Sequence, residues 1–294
     1  MSSYQIAPSE LIITNQGCVY HLDVHPSELA DTVITVGDPG RVPEVSKYFD
    51  RIEHKKAHRE FVTHTGYIGN KRISVVATGI GPDNIDIVLN ELDALVNINL
   101  KNRTVNDVHK SLKIIRLGTS GTVQHDIPVD SLVASSYGLG MDNLLHYYQF
   151  KENDLEQLFL NAIQQHLGLL GHDNIKPYLV QGSVELLNHF SEIAVNGITM
   201  TAPGFYGPQG RVLRLGLAFP SLIDKLHSFN YQNVRITNIE METSAIYGLG
   251  KLLGHQCLSV NTIVANRANK TFSKDSGAAI EQMIQRSLVV IEKL

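Results

Sequence analysis

The segment Asn238-Ile239-Glu240-Met241-Glu242-Thr243 sets two carboxylates around a methionine where an apolar, strand-like run gives way to a helical one. In extended backbone, residues two apart face the same way, so Glu240 and Glu242 can converge on neighbouring hydroxyls. A vicinal diol offers two O–H donors, and bonds to charged acceptors are roughly twice as strong as those to neutral ones. Met241 adds an apolar thioether against which the face of a sugar ring can lie. The plainer reading is a strand ending in a solvated glutamate and a helix opening on an acid that favours its dipole.

Guanidinium groups are placed where an anion would need them. Ile114-Ile115-Arg116-Leu117-Gly118-Thr119-Ser120-Gly121 puts an arginine inside an apolar run and follows it with a turn of two hydroxyls between glycines. A buried arginine demands a negative partner, and either an anionic substrate or a core carboxylate answers that demand. Val36-Gly37-Asp38-Pro39-Gly40-Arg41 runs from a strand into a glycine-bearing turn whose N–H groups can face an anion, with Arg41 just beyond. His58-Arg59-Glu60-Phe61 supplies a further arginine, although Arg59 and Glu60 also read as a surface pair.

The loop Ala202-Pro203-Gly204-Phe205-Tyr206-Gly207-Pro208-Gln209-Gly210-Arg211 combines an aromatic face with an amide and a guanidinium. A glutamine offers both donor and acceptor to an imide edge, whereas an arginine offers donors only, so Gln209 and Arg211 suit a planar heterocycle with carbonyl oxygens. The same residues also read as an ordinary Gly/Pro loop. Arg267 closes another strand-like run at Val264-Ala265-Asn266-Arg267.

Other patterns fail. His21-x3-His25 and His54-x3-His58 have ligand spacing for a helix face, but Pro26 follows His25 and neither pair carries the glutamate of a zinc-protease motif, so no metal site is expected. Gly248-Leu249-Gly250 lies within a helical run, where its glycines permit close packing instead of cradling a dinucleotide. There is no GxSxG elbow and no GxxxxGK[ST] loop.

The elements that must hold these groups are short β-branched runs at 32–36, 73–78, 114–117, 131–135, 198–201, 236–241 and 257–264, alternating with amphipathic stripes at 84–96, 155–167 and 278–294. Such alternation predicts an α/β fold with its chemistry at strand ends. At 294 residues, 43% hydrophobic and 18% charged, with no repeat or change of composition, the chain reads as a single domain over 1–294. An N-terminal arm spans about 1–30, and the polar segment 97–113 forms an excursion off the core. A net charge of −4 argues against nucleic acid or an anionic membrane as the main partner. Cys18 and Cys257 form no disulfide framework, no signal peptide is read at the N-terminus, and no apolar run reaches the roughly 20 residues of a membrane span, so a cytoplasmic location is expected.

Taken in order, these motifs resemble the nucleoside phosphorylases of the uridine phosphorylase type over most of the chain. The resemblance implies a single domain with a mixed, barrel-like central β-sheet flanked by helices, assembled as homodimers that build a hexamer. It implies that Gly37, Arg41, Arg116 and Thr119 hold phosphate, joined by Arg59 from a neighbouring subunit. It further implies that Glu240, Met241 and Glu242 hold ribose, with His21 reaching the sugar 5′ end across the same interface. Ser120, Gly121, Phe205, Gln209 and Arg211 would take uracil, supported by Arg267. Catalysis would fall to Arg116, Thr119, Glu242, Gln209 and Arg211. The chain departs from bacterial members in having Gly207-Pro208 before the glutamine, and in a longer arm and excursion. Asp83 and Asn84 stand where smaller residues are expected, so an interfacial K+ site involving Glu60 is not assumed.

The implied chemistry is attack of phosphate on the anomeric carbon of uridine through an oxocarbenium-like state, giving uracil and ribose 1-phosphate without metal or organic cofactor. A purine nucleoside phosphorylase is the nearest alternative, but it typically has an aspartate to protonate the base where Asn266 stands here. A hydrolytic nucleosidase and a non-enzymatic nucleoside sensor are the others.

Overall fold

The computed structural model describes residues 4–170 and 175–294 and divides into two units, one running to Ile115 with Leu249–Gln256 added, the other Arg116–Gly248 with Cys257–Leu294.

In the first unit, strands β1 (Thr32–Val36), β2 (Arg51–His58), β3 (Phe61–Ile68) and β4 (Lys71–Ala77) form a sheet in the order β1-β4-β3-β2. β1 runs parallel to β4, and the other neighbours are antiparallel. Short helix α1 (Arg41–Ser46) follows β1 directly, and α2 (Pro82–Asn97) opens with Pro82 after Gly81, whose φ of 101° only glycine adopts easily. The stripe read from the sequence is the buried face of α2: Ile85, Val88, Leu89, Leu92 and Leu95. The β2–β3 hairpin has no counterpart among the expected strands. β2 reads Arg-Ile-Glu-His-Lys-Lys-Ala-His with no fully buried residue, so no apolar run announces it.

The polar segment 97–113 begins as a small hairpin of β5 (Ile98–Asn99) and β6 (Thr104–Val105). It grips the N-terminal arm: the Ile6 amide donates to the Arg103 carbonyl at 2.8 Å, and Arg103 Nη1 donates to the Leu11 carbonyl at 2.5 Å.

The second unit contains most of β7 (Lys113–Thr122), then β8 (Leu132–Gly140), β9 (Tyr178–Gln181), β10 (Val195–Thr201), β11 (Asn230–Tyr231), β12 (Val234–Glu240), β13 (Gln256–Asn266) and β14 (Thr271–Phe272). The order β12-β10-β8-β13-β7 is closed by antiparallel pairing of β7 with β12, Thr122 opposite Asn238 and Gly121 opposite Ile239. Parallel and antiparallel neighbours are mixed around this five-stranded barrel, as the resemblance implied. The glycine and hydroxyl residues after Leu117, expected as a turn, instead extend β7 to Thr122, because the pairing with β12 holds them extended.

Helices α3 (Asp154–Leu167), α4 (Val184–Phe190), α5 (Leu222–Ser228), α6 (Thr243–Leu253) and α7 (Ser276–Ile291) complete the chain. α3 begins with a reciprocal Asn153 and Glu156 capping box and ends at Gly168 with φ 71°. It packs Phe159, Leu160, Ile163 and Leu167 against Leu139, Leu179, Ile198, Met200 and Ile236. Within α6, a Cβ on Gly248 would fall 2.2 Å from Leu145, so this glycine serves close packing as expected. Among the described residues no helix is long and apolar enough to cross a membrane.

Candidate active site

β12 ends at Glu240 and α6 begins at Thr243, so Met241 and Glu242 occupy the bend between them. Both glutamates are buried. Glu240 accepts the Glu242 and Thr243 amides at 2.9 and 3.0 Å and the Thr201 hydroxyl at 2.8 Å, which makes its carboxylate the cap of α6. Glu242 pairs with Arg116 Nη2, and Glu240 lies 3.4 Å from the same nitrogen. The plainer sequence readings therefore hold in part, since an acid does favour the helix start and Arg116 does meet core carboxylates.

One guanidinium serves two carboxylates in a buried cluster. Burial pushes the Glu240 carboxyl above its ordinary range and Glu242 adds to this, while Arg116 opposes it. Burial alone would lower the Arg116 pKa, but Glu242 and Glu240 outweigh it and hold the group above its ordinary value. Arg116 Nη1 donates to Asn261 Oδ1 at 2.5 Å. Downstream on β7, Thr119 is half-buried, Ser120 is buried and accepts from Asn238 Nδ2 at 2.8 Å, and a Cβ on Gly121 would stand 3.7 Å from the Ala265 carbonyl oxygen and from Arg267 Cγ.

The base loop carries one arginine, Arg211, and meets a second, Arg267, just past β13. Gln209 is buried, and its Oε1 accepts from Arg211 Nη1 at 2.5 Å. Arg211 also donates to the Phe205 carbonyl at 2.7 Å and lies over the Phe205 ring, 3.8 Å from its centroid. Arg267 donates to the carbonyls of Gln209 and Gly210 at 2.9 and 3.3 Å. Burial first, then the neighbouring Arg267, brings Arg211 down to about 10. Arg267 is lowered by burial. The ion pairs of the described residues include no carboxylate for either arginine. Asn266 is buried, donating to the Gln124 and Ile127 carbonyls and accepting the Asn269 amide, so its side chain is spent on neighbouring loops.

In the first unit, Gly37 follows β1 and Arg41 begins α1, both half-buried, and the Arg41 amide donates to the Asp38 carbonyl at 2.9 Å. Arg59 sits at the β2–β3 turn with φ 54°, its side chain exposed and 5.6 Å from the Tyr20 ring centroid. His21 is gripped by Glu91 of α2. That carboxylate accepts the His21 and Leu22 amides at 3.0 and 2.9 Å and lies 2.7 Å from His21 Nδ1. A carboxylate can only accept, so Nδ1 carries the proton of this contact. Beside Glu60, the Asn84 amide fills the space at Gly79, 2.2 Å from where a Cβ would stand.

Among the described residues, Asp93, His109 and His255 have the makings of a metal site. The Leu112 amide donates to His255 Nδ1 at 3.2 Å, which puts the neutral ring's proton on Nε2, facing Asp93 Oδ1 at 3.4 Å. A proton, not a lone pair, meets the carboxylate there. Sequence reasoning missed Glu91, Thr201 and Asn261. Only Asn261 left a signal, a lone amide within the apolar run Cys-Leu-Ser-Val-Asn-Thr-Ile-Val.

The sequence model of the Phosphorylase superfamily matches residues 31–294. Uridine phosphorylase of Thermococcus kodakarensis is 29% identical over 266 residues, covering 89% of this chain and 82% of its own. A DeoD-type purine nucleoside phosphorylase of Oceanobacillus iheyensis is 26% identical over 285 residues, covering 93% and 99%. The crystal structure of a Trypanosoma brucei nucleoside phosphorylase, described as showing uridine phosphorylase activity, shares 31% identity with a TM-score of 0.87, over 97% of this chain and 99% of that one. The family model over residues 31–294, with a fold matched at this level, places the chain in the Phosphorylase superfamily.

Proposed function

We propose that the chain catalyses the reversible phosphorolysis of uridine to uracil and α-ribose 1-phosphate. The observation that carries this reading is the pair Arg211, in the base loop, and Arg267, just past β13, whose hydrogen-bond partners are carbonyl and amide oxygens. Two half-buried positive charges without a carboxylate partner among the described residues suit a base that departs as an anion with charge on carbonyl oxygens. The uridine phosphorylases among the similar proteins support it further.

Phosphate attacks C1′ from the face opposite uracil as the glycosidic bond breaks, which inverts the β-nucleoside to the α-phosphate. Arg116 and Thr119, joined by a neighbouring subunit's Arg59, hold and orient the nucleophile, so positioning supplies much of the acceleration. Glu240 and Glu242 accept from the ribose hydroxyls, as carboxylates that offer acceptors only. Met241 lies against the sugar face, and His21 Nε2 accepts from the 5′-hydroxyl of the neighbour's substrate. Gln209 Nε2, free of hydrogen bonds among the described residues, donates to a uracil carbonyl while Arg211 donates to the developing charge; Phe205 stacks on the ring beside Ser120 and Gly121. Phosphate is a co-substrate and no organic cofactor takes part. The working form is a homo-oligomer, built from dimers, acting in the cytoplasm.

Incubating the purified chain with uridine, with and without phosphate, and following free uracil tests this. Release that requires phosphate is expected. Release without phosphate would indicate a hydrolase, and no release would remove the enzymatic reading.

A further inference from the structure

The Arg116 guanidinium lies in a cradle made partly of residues with no part in substrate contact. Asn261 of β13 is fully buried, and its Oδ1 takes the Nη1 edge at 2.5 Å. The orientation of this amide is dictated: arginine has donors only, so the oxygen must face it. Asn261 Nδ2 then donates to Ser259 Oγ at 3.1 Å, and Ser259 accepts the Thr243 hydroxyl at 2.7 Å at the start of α6. The Thr243 amide donates in turn to Glu240. On the other side, a Cβ at Gly118 would stand 1.7 Å from Nη1 and 2.4 Å from Cζ. The guanidinium therefore lies over this glycine, and the requirement there is steric.

Charge explains why an amide suits position 261. Arg116 already faces two carboxylates, Glu242 and Glu240, so the cluster carries one excess negative charge when both are ionised. A third carboxylate would oppose an incoming phosphate dianion, and a hydrocarbon would leave a buried N–H without an acceptor. We propose that Asn261 is a positioning residue for phosphate binding: as a neutral acceptor it holds the Nη1 edge of Arg116 over Gly118 while Nη2 pairs with Glu242. This inference rests on the reading of Arg116 as a phosphate ligand.

The test measures binding of inorganic phosphate to the full chain by calorimetry, together with KM for phosphate and for uridine. Asn261→Ala should weaken phosphate roughly tenfold, as loss of a bond to a charged group does, while KM for uridine at saturating phosphate stays nearly constant. Asn261→Asp keeps the acceptor but adds charge, so it should weaken phosphate more than the alanine does, and the deficit should shrink as pH falls. Gly118→Ala displaces the same guanidinium from its other side and should also raise the phosphate Kd, which keeps the test open if Asn261→Ala fails to fold. A purely structural role would lower thermal stability and leave phosphate affinity of the folded variants unchanged, and that result overturns the proposal. If the wild-type chain itself binds no phosphate, the reading of Arg116 falls, whatever the variants do.

Discussion

Arg267 donates through Nη1 to the main-chain carbonyl of Gln209 at 2.9 Å, so one guanidinium fixes the backbone that aims another residue's amide. Arg267→Ala should therefore loosen the base loop without touching the phosphate ligands. Losing a charged donor to two carbonyls costs about 1.5 to 3 kcal/mol, or roughly ten- to a hundredfold in kcat/KM for uridine. Steady-state kinetics with each substrate varied will check it. An equal rise in KM for phosphate would contradict the assignment.

Glu91 accepts three N–H groups from His21 and Leu22, a load that suits a carboxylate and not an amide. Glu91→Gln would turn an NH2 group toward backbone donors. We expect a loss of roughly 1 to 3 kcal/mol in denaturant unfolding and a higher KM for uridine, because His21 loses its fixed ring orientation. Unchanged stability with normal uridine kinetics would show that this grip is dispensable.

His64, buried beside Ser46 with their side chains 2.7 Å apart, has its pKa lowered by burial first and by Lys55 second. The charged form is thus disfavoured in the fold. Its contribution to stability is present above the unfolded value near 6.5 and is lost as pH falls through the depressed folded value. Melting temperature should fall on the acid side of about pH 6.5, and His64→Gln should flatten that slope. A variant with the wild-type slope would assign the acid sensitivity elsewhere.

The paired glutamates and the base loop were readable because each places its chemistry within a few adjacent residues. The partners of Arg116 were not, since Glu242 lies 126 residues away and Asn261 lies 145. Gly118 to Gly121 reads as a turn, and only the ladder with β12 and the guanidinium lying over Gly118 explain why small residues sit in a strand. β2 escaped notice because an exposed strand of charged residues lacks the apolar period that betrays a buried one. Asn266 was placed beside the base by its position in the motif, yet its amide serves neighbouring loops, so the case against purines now rests on the base loop itself.

If Arg59 reaches a neighbour's site, two inactive variants should complement each other. Mixing Arg59→Ala with Arg116→Gln under subunit exchange should restore up to about a quarter of wild-type activity, because half of randomly paired dimers are hybrids with one of two sites intact. Absence of recovery after demonstrated exchange would place Arg59 outside the site.

The most direct test of the central claim is a competition in one vessel: uridine, cytidine and inosine at equal concentration with phosphate, with each free base quantified over time. Uracil presents acceptor, donor, acceptor along its edge, which the Gln209 amide and Arg211 can meet. Cytosine turns an amino donor and a bare nitrogen toward the same groups, and sites that hydrogen-bond a substrate group reject analogues lacking it by roughly 10⁴. Uracil and ribose 1-phosphate are expected, with cytosine and hypoxanthine at background. Hypoxanthine appearing faster than uracil would contradict it and make the chain a purine nucleoside phosphorylase.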